Sequence, residues 1–168
     1  MSTINGLPAH ILLNHFVVVL GPLTAILAIV CALWPAARRR LIWLVLVLAA
    51  ATLVLTPLTA SSGEWLIGKA RHVSPVLDTH ANLGSTLIYM VAALVAALAL
   101  LTAVHIRQAR GRAVKIGLHA TVSVLVIVAA ITVLLQTYRI GESGARAVWG
   151  NQASRPAAEL LGHGAAVE

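Results

Sequence analysis

The stretch LGSTLIYMVAALVAALALLTAV, from Leu83 to Val104, contains no charged residue over 22 positions. At about 1.5 Å per residue it is long enough to cross the roughly 30 Å of hydrocarbon in a bilayer. Its approach reads Ser74-Pro75-Val-Leu-Asp78-Thr79-His80-Ala-Asn82. Ser74 is a natural N-cap and Pro75 a natural first helical residue. His80 is therefore expected inside the helix, more than a turn from its start, at the membrane boundary.

Outward from this stretch the pattern repeats. Apolar runs occupy residues 11–34, 41–60, 81–104 and 114–136, and the whole chain of 168 residues is 60% hydrophobic and 10% charged. Soluble domains carry about a quarter charged residues. A segment in hydrocarbon must satisfy its own backbone, so uncharged runs this long are read as helices. The expected fold is all-α: a polytopic membrane protein, an up-down-up-down four-helix transmembrane bundle over residues 1–138, with 139–168 as an outer-side tail. Gly21-Pro22 predicts a kink in the first helix. Ala49-Ala50-Ala51 offers small residues for close helix approach. Ser61 and Glu64 have capping-box spacing, which predicts a short outer interfacial helix near 62–72 with Trp65, Lys69 and His72 on one face. The start of the chain lacks a positive region and a small-residue cleavage site, so the first run is expected to be retained. Cys31 is the only cysteine, which excludes an intramolecular disulfide.

The charges set an orientation. The links 35–40 and 105–115 hold Arg38, Arg39, Arg40, Arg107, Arg110, Arg112 and Lys115 and no acid. The other face holds Lys69, Arg71, Arg139, Arg146 and Arg155 with Glu64, Asp78, Glu142, Glu159 and Glu168. The first face thus accounts for the net charge of +7. By the positive-inside rule these links lie in the cytoplasm and both termini outside, which places the chain in a bacterial inner membrane. The basic excess reflects topology and contact with the lipid bilayer, not a nucleic-acid partner.

Seven histidines are the main functional clue. His10, His15, His72, His80 and His163 fall on the outer side, His105 and His119 on the inner side. Counting back from the basic ends puts His15 and His80 near the outer boundary, His15 about a turn deeper, with Asn14, Asp78, Thr79 and Asn82 around them. Gly84, one turn below His80 on the same face, leaves a flat space where a ring can rest. Two imidazoles from different helices can ligate a haem iron. With His72 or Asp78 they can instead hold copper or zinc, or relay protons. The expected site is one b-type haem on His15 and His80, with His72, Asp78 and Gly84 behind them, or a metal on His15, His72 and His80. A stacked haem pair is not expected: His80 and His105 stand 25 residues apart, roughly 37 Å along a helix axis. Each histidine also has a plainer reading, as a hydrogen-bonded or snorkelling structural residue. No nucleophile motif, phosphate loop or zinc-protease helix occurs in the sequence.

The segment Gly6-Leu-Pro-Ala-His10-Ile-Leu-Leu-Asn-His15-Phe16 resembles the opening of an uncharacterised bacterial family, domain of unknown function 2231. The likeness continues at Ser62-Gly63-Glu64-Trp65, at Thr79-His80-Ala81 and at Arg139-Ile-Gly-Glu-Ser-Gly-Ala-Arg-Ala-Val-Trp149. The family's usual His-Pro and Phe-Pro are here His10-Ile11 and Phe16-Val17. The resemblance implies a four-span fold with family histidines at His15 and His80. Some relatives are joined to Rieske iron–sulfur domains, which implies a setting near membrane electron transfer. Three functions are in play: an accessory subunit binding haem or metal beside a membrane redox protein, a purely structural subunit that docks a partner or itself, and a small permease.

Overall fold

The computed structural model describes residues 3–4, 7–68 and 75–153. Two short strands, β1 (Thr3–Ile4) and β2 (Leu7–Pro8), pair antiparallel ahead of the first helix, with Thr3 opposite Pro8. Four helices follow: α1 (Ala9–Leu33), α2 (Pro35–Ile67), α3 (Pro75–Ala109) and α4 (Ile116–Ala153). All four are long and apolar enough to cross a membrane. Each packs against the next, α4 closes the ring against α1, and the α1–α3 diagonal is slight. Asn14 at the start of α1 and Glu64 near the end of α2 line one cavity, so successive helices run antiparallel. The architecture is the all-α polytopic bundle that the apolar runs predict.

The inward face of each helix follows the helical repeat. On α2 the buried stripe is Ile42, Val45, Ala49, Thr52, Thr56 and Thr59, at steps of three and four. It is aliphatic toward the arginine end and hydroxylated toward the other. On α3 the stripe is Leu87, Val91, Leu94, Leu98 and Leu101; on α4 it is Val122, Val126, Ala130, Val133, Thr137, Ile140 and Ser143. Ala25, Ala28 and Cys31 on α1 are fully buried, and such small residues let backbones approach closely. Large apolar side chains such as Phe16, Val47, Tyr89, Val128 and Leu135 face outward, as lipid-facing residues do.

The connections are short. Trp34 alone separates α1 from α2, and Pro35, which has no amide to leave unpaired, opens α2. α3 ends on Gly111, whose φ of 70° is left-handed. Gly111 N donates to Gln108 O and Arg112 N to Arg107 O, each at 3.0 Å, which is the Schellman stop that glycine permits. Pro22 and Pro57 lie inside α1 and α2, and both helices continue through them.

Two boundaries differ from expectation. Residues 61–67 do not form a separate interfacial helix; they prolong α2. Ser61 Oγ donates to Leu58 O and Ser62 Oγ to Thr59 O, so these hydroxyls bond back into α2 and cap nothing. Trp65 stays exposed near the helix end, while Lys69, Arg71 and His72 lie outside the described residues, as does Ser74. Nor does the last helix stop near residue 136. α4 runs to Ala153, because Ile140 and Ser143 continue its buried face and Glu142 pairs with Arg146 on its exposed face. Residues 154–168, with His163, lie outside the described residues.

Candidate functional site

All four helices contribute to a vestibule at the end of the bundle away from the arginines, with a cavity volume of about 100 Å³. Its polar lining is Asn14 from α1, Thr56, Thr59 and Glu64 from α2, His80 and Ser85 from α3, and Thr137 from α4. Val17, Leu77, Leu87 and Ile140 make the remaining wall apolar.

The threonines sit here because hydrocarbon leaves their hydroxyls one cheap partner, the carbonyl a turn back. Thr56 Oγ1 donates to Thr52 O at 2.7 Å, Thr59 Oγ1 to Leu55 O at 2.8 Å and Thr137 Oγ1 to Val133 O at 2.9 Å. With their hydrogens so used, these oxygens offer lone pairs to the vestibule. Gln136, one residue from Thr137, ties α4 to α3: its Nε2 donates to Leu83 O and to Thr86 Oγ1, both at 2.8 Å.

His80 is half-buried and held by α4. Its Nδ1 lies 3.1 Å from Ile140 O and 3.0 Å from Ser143 Oγ. Ser143 spends its own hydrogen on Ile140 O at 2.9 Å, so in the neutral ring Nδ1 carries the proton and donates. The ring lies against Gly144, where an added Cβ would come 3.1 Å from Cε1. Gly144 is therefore the residue that makes room for the imidazole. Gly84 lines the vestibule, but a Cβ there would meet nothing within 4 Å. The surface against which the His80 ring lies is thus supplied by α4 and not by the next turn of α3.

The other expected site residues are placed as follows. His15 is exposed and outside the vestibule lining, whereas its neighbour Asn14 faces in. Asp78 is exposed, with Asn82 Nδ2 at 3.5 Å from its Oδ2, and is not among the groups that orient His80. His72 and the side chain of His10 lie outside the described residues. His105 is half-buried near the end of α3. His119 does not meet it; its Nε2 accepts from Nη1 of Arg38. Among the described residues no three of His, Cys, Asp and Glu gather closely enough to hold a metal ion.

Ser143, Gly144 and Gln136 did not stand out as site residues in the sequence. The one available signal was that Thr79-His80-Ala81 and Arg139 to Trp149 both carry the family likeness, and these two segments meet in the fold. The arrangement can orient an imidazole and accept hydrogen bonds from a guest with an apolar body.

Neither a curated protein nor a solved structure matches the chain. A family model described as predicted membrane protein (DUF2231) matches residues 6–155, and the chain belongs to that family.

Proposed function

We propose that the protein is a small accessory subunit of a bacterial cytoplasmic membrane that holds an amphiphilic small molecule in its vestibule. The observation behind this reading is the vestibule itself. Its mostly apolar walls and few converging polar groups are the kind of lining that small-molecule sites use. The seven basic residues of the two links put that end in the cytoplasm, so the vestibule opens outward and both termini are external. Cysteine labelling in a Cys31→Ser background tests the orientation. Arg39→Cys should react only from the cytoplasmic side and Glu142→Cys only from outside; the reverse result sinks this topology.

Mild-detergent purification followed by extraction and mass spectrometry tests the occupancy. A stoichiometric small molecule should accompany the protein and be lost in Gly84→Phe, which adds a ring to the vestibule wall at a position where a Cβ has open space. An empty wild-type preparation, or retention unchanged by Gly84→Phe, overturns the reading.

A second reading is a single b-type haem beside a membrane redox partner. It is favoured by one feature: a donor bond from His80 Nδ1 to a backbone carbonyl is how proteins commonly fix a ligating imidazole, with ligation through Nε2. A His15–His80 pair does not fit, since His15 lies outside the lining. The purified protein should then show a Soret band that disappears in His80→Ala and survives in His15→Ala. A colourless preparation rules the haem out.

A further inference from the structure

At the other end of the bundle the fold buries a positive charge. Arg38, in the first turn of α2, is only 4% exposed. Its Nη1 donates to Nε2 of His119, in the first turn of α4. A guanidinium carries five N–H donors, and a neutral imidazole satisfies one of them without supplying a counter-charge. Among the described residues the one ion pair is Arg146 with Glu142, on the far part of α4. A buried charge without a counter-ion is costly, and proteins normally pair it.

The surroundings add to the positive potential. α2 begins at Pro35 and α4 at Ile116, so the guanidinium bridges the positive N-terminal turns of two helices on opposite sides of the bundle. Arg39, Arg40 and Lys115 are exposed at the same place. Among the described residues the sealed side-chain atoms without a partner are Thr24 Oγ1 and Ser123 Oγ, so the remaining nitrogens of Arg38 reach the edge of the protein surface, though the residue is only 4% exposed. Trp34 and Trp43, 63% and 57% exposed, flank Arg38 in sequence. Exposed tryptophans mark the headgroup level of a bilayer, which is where lipid phosphates lie.

We propose that Arg38, set between the N-termini of α2 and α4, holds a phosphate, supplied by the headgroup of an anionic phospholipid. The phosphate provides the missing negative charge and locks α2 to α4 from outside the chain. The planar fork of arginine suits this role because it can present two parallel N–H groups to phosphate oxygens. This site is independent of the vestibule.

Native mass spectrometry of the purified protein, titrated with phosphatidylglycerol or phosphatidylcholine, tests it. The wild type should retain phosphatidylglycerol at least roughly fivefold better, the effect of about one basic group at a membrane surface. Arg38→Gln should remove the preference, while Arg107→Gln/Arg110→Gln, at the same end, should keep it. Inorganic phosphate is the second arm: if millimolar phosphate displaces phosphatidylglycerol, the site is upheld and a free anion also fills it. Equal retention of the two lipids by the wild type overturns the proposal whether or not Arg38→Gln folds. So does a preference that survives Arg38→Gln, or one that falls equally in the Arg107/Arg110 double variant.

Discussion

The two ends of the bundle use the same four helices to opposite effect. Toward the arginines, α2 turns Ile42, Val45 and Ala49 into the same core cluster as Leu98 and Leu101, and the helices close. Toward the other end the same face of α2 presents Thr52, Thr56 and Thr59, and the helices enclose a vestibule. Each end locks one histidine to α4 or on it. His80 is held by a carbonyl and a serine hydroxyl, His119 by a guanidinium. The contrast shows that a membrane bundle is closed by aliphatic fit and kept open by hydroxyls that are satisfied within their own helix. A self-bonded threonine asks nothing of the neighbouring helix, so the space beside it need not be filled.

Substitutions at the two ends should therefore differ in cost. The largest effect is expected at the closed end: Leu98→Ala removes a fully buried side chain and should cost about 2–5 kcal/mol, read from unfolding in detergent. A loss below about 1 kcal/mol would mean that this end is not closely packed. Next comes the glycine pair. Gly144→Leu must displace the His80 ring and should cost about 1–3 kcal/mol, whereas Gly84→Leu should leave stability nearly unchanged. Equal effects at the two positions would erase the distinction between ring platform and open wall. Gln136→Leu cuts both amide bonds to α3 and should cost about 1 kcal/mol, seen as a lowered Tm with the fold intact. The smallest effect is expected for Thr56→Val, about 0.5 kcal/mol, since its hydroxyl bonds only within α2. A cost rivalling that of Leu98→Ala would show that the vestibule wall is as tightly packed as the closed end.

The four spanning helices were legible because hydrocarbon imposes a length and a composition that few other structures share. Their ends were less so. Ser61 and Glu64 matched a helix-start spacing, yet a serine hydroxyl can equally bond back to its own helix, and it does. The polar residues from Arg139 onward suggested that α4 was over, but helix continues wherever one face still has something to pack on. For Ile140 and Ser143 that partner is His80. The histidines show the same limit. Counting residues along a helix gave the depth of His15 and His80, and left open which of Asn14 and His15 turns inward. One residue is about 100° of rotation, enough to exchange the vestibule for the outer surface.

Composition and order along the chain determined the medium, the number of crossings and the separation of charge between the two ends, because each follows from the cost of putting polar groups in oil. Only the tertiary structure decided that His80 leans on Gly144 and that Arg38 reaches His119. Those contacts join residues 64 and 81 positions apart, and they depend on how the helices are rotated about their own axes. That rotation is settled by packing all four together.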